Sequence, residues 1–257
     1  MSCIFDSFNE IWVCDTEFKS CLGERQQPIC LVAYELRSGR EVKIWFDQTE
    51  NPAPNSLPFE VGSSSLFVSY FASAELGTFL SLGWKMPERI LDLYVEFRNL
   101  TSGKQNYFGN GLLGALKYFG LSAMDHTEKD RLRDMIISKP FFTEAEKIEI
   151  LEYCATDVMA LVKLFKAMSK LIDLPRALVR GRYMAAVAAM EHRGVPIDFP
   201  SFQKIKLNWE GIKLKLIQDV GNILDFFLGS FHQPFGQSIH PILHACFQGR
   251  GKRGGDA

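Results

Sequence analysis

The segment Ile11-Trp12-Val13-Cys14-Asp15-Thr16-Glu17-Phe18 constrains this chain more than any other. A short apolar run ends in two acids separated by one residue. In a strand successive side chains alternate between faces, so Asp15 and Glu17 point the same way. Two carboxylates at the end of a buried strand repel each other and resist desolvation unless a cation lies between them. Hard oxygen donors of this kind suit divalent ions such as Mg2+ and Mn2+. The segment therefore predicts a core strand whose end is made for metal-dependent chemistry, with a solvated strand end as the plain alternative.

The chain has 257 residues, 47% of them hydrophobic, enough for one large domain or one domain with a helical annex. Its formal net charge of -1 excludes the global basic field that holds nucleic acid nonspecifically, so any such contact must be local. The six cysteines are scattered without a CxxC pair, which predicts reduced thiols in an intracellular, cytoplasmic protein. No basic segment followed by an apolar stretch opens the chain, and no apolar run reaches membrane-spanning length. The five histidines form no HExxH pattern, and neither GxGxxG nor GxxxxGK[ST] occurs, which argues against a nucleotide-cofactor enzyme.

Strand patterns cover 11–17, 28–36, 41–47, 66–70 and 89–93, and the turn Arg37-Ser38-Gly39-Arg40 makes the second and third a hairpin. Residues 50–65 read as loop. Ser73 reads as the N-cap of a helix over 74–82 that Gly83 stops. Helices follow at 110–119, 127–137, 143–170 and 176–193, and Thr143 with Glu146 forms a capping box. Strands first and then a run of helices predict a mixed sheet covered by helices. After Gly194-Val195-Pro196-Ile197-Asp198 the character changes. Phe202, Ile205, Trp209, Ile212, Leu216 and Val220 repeat at helical spacing as one helix, and from 229 the glycine-rich, basic tail, with Arg250, Lys252 and Arg253, offers little to bury.

The long helix carries Tyr153-Cys154-Ala155-Thr156-Asp157, which places Tyr153 and Asp157 one turn apart on one face. Asp-x-Glu on the first strand, a middle acid, and Tyr-x-x-x-Asp on a late helix together resemble the DEDD 3′–5′ exonucleases of the tyrosine type. Over residues 8–170 the chain resembles the proofreading exonuclease domain of family A DNA polymerases, of the DNA polymerase I type, and also ribonuclease D. Arg89-Ile90-Leu91-Asp92-Leu93 and Leu112-Leu113-Gly114-Ala115-Leu116 look like further segments of that domain. Arg180-Gly181-Arg182-Tyr183-Met184 and Met190-Glu191-His192-Arg193-Gly194-Val195-Pro196-Ile197-Asp198 resemble the start of the polymerase portion, whose palm carboxylates have no counterpart here.

The resemblance implies an α/β, ribonuclease H-like mixed sheet flanked by helices, followed by a short helical stub. The domains would be an exonuclease domain over 1–172, a polymerase-like helical segment over 173–228 and a poorly ordered tail over 229–257. It implies metal-dependent hydrolysis of terminal phosphodiesters at single-stranded 3′ ends of DNA, proofreading in DNA replication, with a separate polymerase subunit as partner. Two Mg2+ or Mn2+ ions would be held by four carboxylates. Asp15 would be shared, Glu17 and Asp157 would serve one ion, Glu75 the other, and Tyr153 would orient the attacking water. Glu75 stands where the pattern has Asp, and Asp92 is its rival as the middle acid. Two other readings stand beside this one: an exoribonuclease like ribonuclease D, with RNA as substrate, and an inactive exonuclease fold that only binds nucleic acid or a partner. By position, Phe18, Phe71 and Tyr107 are candidates to stack on bases, and Arg98, Lys104 and Lys117 to contact phosphates.

Overall fold

The computed structural model describes residues 3–19, 24–46, 56–122 and 126–229; of the poorly ordered tail expected over 229–257, all but Gly229, the last residue of a helix, lies outside them. The element order is β1 (Glu10–Lys19), β2 (Gln27–Glu35), β3 (Glu41–Trp45), β4 (Ser65–Ser69), α1 (Ser73–Ser81), β5 (Ile90–Asp92), α2 (Leu93–Thr101), α3 (Leu112–Tyr118), α4 (His126–Ser138), α5 (Glu144–Met168), α6 (Leu174–Arg193), α7 (Phe199–Leu207) and α8 (Trp209–Gly229). The five strands form one sheet in the order β3-β2-β1-β4-β5. β2 runs antiparallel to both of its neighbours, while β4 is parallel to β1 and to β5. One reversed strand in an otherwise parallel sheet, with helices on both faces, is the ribonuclease H-like α/β arrangement.

Strand alternation divides the core into two layers. Ile11, Val13, Val32, Leu66, Val68 and Leu91 face one way and pack with Ile150, Cys154, Val158, Leu161 and Phe165 of α5. Trp12, Leu31, Ala33, Phe67 and Ile90 face the other way and meet Leu76 and Phe79 of α1 and Met184 and Ala188 of α6. The hairpin of β2 and β3 is tied to the central strand by Glu35. Its buried carboxylate accepts from the backbone N–H groups of Ile11, Arg37 and Ser38 and from the Ser38 hydroxyl.

Several elements differ from the sequence reading. Ser73 is not the N-cap of α1; Ala72 is, without a side-chain bond, and Ser73 is the first helical residue with its hydroxyl buried. Gly83 does end that helix. It adopts φ +69°, and Trp84 N–H reaches back to the Phe79 carbonyl in a Schellman closure. A helix the sequence reading lacks, α2, follows β5 directly. Asp92 ends the strand and caps the helix, accepting from Tyr94 and Val95 N–H. The capping box at Thr143 and Glu146 is formed as expected. The single helix expected across 202–220 is two helices, because α7 closes at Asn208, whose side-chain amide and backbone N–H both donate to the Lys204 carbonyl.

The chain divides into two units, Met1–Val195 and Pro196–Ala257. The first therefore runs beyond residue 172 and includes α6. That helix packs on β5 through Gly181, where a Cβ would lie 2.0 Å from the Ile90 carbonyl oxygen. It is also held by Arg180, whose guanidinium makes paired bonds of 2.6 and 2.7 Å to the Glu96 carboxylate on α2. Within the second unit α7 buries none of its residues, whereas Ile217 of α8 is buried. Among the described residues no helix is long and apolar enough to cross a membrane.

Candidate active site

The site is built where β1 outruns its parallel neighbour. The β1–β4 ladder ends at Val13 opposite Val68, while pairing with β2 continues to Lys19. Asp15 and Glu17 lie on that overhang. Alternation puts them on the face of Ile11 and Val13, the face that α5 covers. Both are half-buried. The Cys154 thiol of α5 lies 3.4 Å from the Asp15 backbone carbonyl and 3.4 Å from its Oδ2, fixing the helix against the acid. Cys14, Cys30 and Cys154 are all free and buried, as reduced thiols in a core should be.

One residue before and three after Cys154, α5 brings in Tyr153 and Asp157, both buried. The Tyr153 hydroxyl is bonded to the Asp157 carboxylate, and its pKa is pushed far upward. Burial is the main cause, followed by the negative charges of Asp157, Glu17 and Asp15. Carboxylates from two elements, β1 and α5, therefore act on one phenol, which donates its hydrogen bond to Asp157.

Glu75 comes from the first turn of α1 and is 3% exposed. Burial, then the charges of Asp15 and Asp92, raise its pKa well above the ordinary value. Its Oε2 has no hydrogen-bond partner. Asp92 is equally buried but fully used. Its Oδ1 accepts from Phe71, Tyr94 and Val95 N–H, and its Oδ2 from Ala72 N–H, at 2.8–3.2 Å. Burial still raises its pKa against the pull of those four donors. The two candidates for the middle acid thus have different surroundings: Asp92 joins the start of α1 to the start of α2, and Glu75 has an orphaned oxygen beside Asp15.

Sequence reasoning missed the consequence of the Asp92 clamp for Phe71. This residue holds φ +69°, a left-handed conformation that bulky side chains rarely adopt. The only sequence signal was the aromatic pair Tyr70-Phe71 at the end of β4.

Among the described residues no group of three or more His, Cys, Asp or Glu side chains is disposed to hold a metal ion. The donor chemistry nevertheless suits a hard divalent cation. Asp15, Glu17, Glu75 and Asp157 offer only oxygen, Asp15 is within electrostatic reach of Glu75, and the buried Glu75 Oε2 lacks a counterpart.

No protein-family model matches this chain, and no curated protein matches it by sequence. Solved structures do. The apo form of a nuclease aligns over 77% of this chain and 93% of its own, at TM-score 0.54 and 15% identity. Escherichia coli RNase D, an exoribonuclease involved in structured RNA processing, aligns over 80% of this chain but 51% of its own, at TM-score 0.47 and 21% identity. The first likeness establishes a fold shared with a nuclease.

Proposed function

We propose that this chain is a metal-dependent 3′–5′ exonuclease that removes nucleotides from single-stranded 3′ ends. The observation that carries the reading is that Tyr153 is hydrogen-bonded to Asp157 and within electrostatic reach of Asp15 and Glu17, while Asp15 is in turn within reach of buried Glu75, whose Oε2 is unpartnered. The fold shared with a nuclease is consistent with it.

In this reading Asp15, Glu17, Glu75 and Asp157 would hold two Mg2+ or Mn2+ ions, which would supply charge neutralisation at the scissile phosphate and an activated water. Asp15, within electrostatic reach of both Glu75 and Tyr153, would be the shared ligand. Glu17 and Asp157 would serve one ion and Glu75 the other. Tyr153 is the residue whose role follows most directly from its environment. Its hydroxyl, hydrogen-bonded to Asp157, would orient the attacking water. Asp92 is a positioning residue, since all four of its hydrogen bonds go to backbone. DNA is the proposed substrate, as in a proofreading domain, with residues 173–228 as a stub of the polymerase region and a separate polymerase subunit as partner.

The test is a gel assay on 5′-labelled DNA and RNA of one sequence with 3′ overhangs, in Mg2+ and in Mn2+. The expected result is a ladder of shortened DNA that requires metal and is lost in Asp15→Ala and Asp157→Ala. A ladder on RNA alone moves the assignment to exoribonuclease. Full activity in Asp157→Ala refutes the site assignment, and no ladder from folded wild type in either metal refutes the exonuclease in favour of a binding module.

A further inference from the structure

Asp15 and Glu75 must stand at a set distance if they are to share an ion, yet they belong to elements that no strand pairing joins. The ladder between β1 and β4 ends at Val13, two residues before Asp15, and Glu75 lies on α1. Both are carboxylates, and the charge of Asp15 acts on Glu75, so without metal the two elements are pushed apart. A polar contact on the other side of β1 opposes that push. Thr16, between Asp15 and Glu17, points by alternation to the face of Trp12 and Cys14, which α1 covers. It is buried, and its hydroxyl meets that of Thr78 at 3.4 Å. Thr78 is fully buried and lies three residues after Glu75, one turn along the same face of α1. Its hydroxyl donates in turn to Gln26 Oε1, also at 3.4 Å. With its one proton used there, Thr16 is the donor of the first bond.

Gln26 reaches this place because Gly77 leaves it open. Gly77 is an interior residue of α1, where glycine weakens a helix relative to alanine. It is not one of the glycines with positive φ, so backbone freedom does not account for it. A Cβ there would lie 2.4 Å from Gln26 Oε1 and 2.8 Å from its Cδ. The missing side chain is the seat of the carboxamide. At 3.4 Å the two hydroxyl bonds are long, so the fit of Gln26 against Gly77 carries most of the hold. Gln26 also stands immediately before β2, whose first residue, Gln27, pairs with Lys19 at the far end of β1. One half-buried side chain thus joins the outer end of the β1–β2 ribbon to α1. The chain Thr16–Thr78–Gln26 runs from the neighbour of Asp15 to a residue one turn from Glu75.

We propose that Gln26, Thr78 and Thr16 are positioning residues that fix Glu75 at its working distance from Asp15, and so shape the site of the ion that Glu75 would hold. They act through the two carboxylates and not on the substrate. The inference rests on the exonuclease reading and deepens it, by naming what sets the geometry of one of its two ions.

The test is calorimetric titration of Mn2+ into the full chain, with urea denaturation in EDTA and DNA cleavage measured alongside. Gly77→Ala expels only the movable end of Gln26 and improves helix propensity, so its urea midpoint in EDTA should equal or exceed that of wild type. Wild type is expected to bind two Mn2+ ions. In Gly77→Ala one of them is expected to bind about 10–100-fold more weakly, the loss that follows removal of a group supporting a metal ligand, with the other unchanged. Thr78→Val should show the same one-sided loss, and Thr78→Ser, which keeps the hydroxyl, should recover wild-type binding. Wild-type affinity for both ions in folded Gly77→Ala and Thr78→Val overturns the positioning role and leaves the exonuclease assignment standing. Equal weakening of both ions also overturns it, as a general loss of structure. A wild type that neither binds Mn2+ nor cleaves overturns both.

Discussion

Replacing Asp92 by Ala is predicted to destabilise the first unit by about 3 kcal/mol. The side chain is 1% exposed and accepts four backbone N–H groups. Two of them, Tyr94 and Val95, belong to the first turn of α2, and loss of such a cap costs about 1 kcal/mol. The other two, Phe71 and Ala72, precede α1, and a buried N–H left without a partner costs about 1–3 kcal/mol. Their sum is about 3–7 kcal/mol. Against this, burial of the carboxylate outweighs the pull of its donors, as its raised pKa shows, so removing it returns part of the loss and the lower figure applies. For a unit of this size about 3 kcal/mol lowers Tm by roughly 6–12 °C. The assay is urea and thermal denaturation followed by circular dichroism, in EDTA. The outcome also separates the two candidate acids. A clamp residue loses stability on substitution whether or not metal is present. A metal ligand crowded by other carboxylates gains stability in EDTA, because the substitution removes a repelling charge. If Asp92→Ala is as stable as wild type or more so in EDTA, the clamp is wrong and Asp92 becomes the middle acid.

Glu75→Gln should raise stability at neutral pH in the absence of metal. A carboxyl whose folded pKa is raised leaves full stability below its unfolded pKa, near 4.5, and takes it away as pH rises toward the folded pKa. Urea midpoints from pH 4 to 8 should therefore fall less steeply in the variant, and parallel curves would refute the burial argument. Arg180→Met strands the Glu96 carboxylate, 2% exposed, and should cost about 3 kcal/mol, at the low end for a broken buried pair because Arg180 is 28% exposed. Adding Glu96→Leu should restore most of it, and a double variant no better than the single would refute the pairing. Gly181→Leu forces a side chain onto the Ile90 carbonyl and should lower the urea midpoint by an overpacking cost of about 1–3 kcal/mol; an unchanged midpoint would show that α6 is not docked there.

The features legible in the sequence share one property: their partners are near in sequence. Alternation along Ile11-Trp12-Val13-Cys14 predicts two faces, and the structure sends those side chains to two different cores. Tyr153 and Asp157 are four residues apart, and one helical turn brings them together. Glu146 caps through Thr143 three residues away. The features that escaped reading depend on distant segments. The sequence reading ends the strand at 93 and places no helix over 94–101, where Tyr94, Val95 and Phe97 give the segment weak helix propensity. Only the contact of Asp92 with Phe71 and Ala72, some twenty residues earlier, shows that the acid serves the backbone. Arg180-Gly181 is read through a resemblance, because nothing nearby reveals that the glycine clears the Ile90 carbonyl and the arginine meets Glu96 across 84 residues. The acids of the site divide in the same way. Asp15, Glu17 and Asp157 carry their signal in local spacing. The pattern places Glu75 as the middle acid with Asp92 as its rival, and what distinguishes their surroundings is the set of N–H groups that two chain turns aim at one carboxylate and not at the other. That distinction is tertiary, and it makes the middle acid the position where substitution tells most about the site.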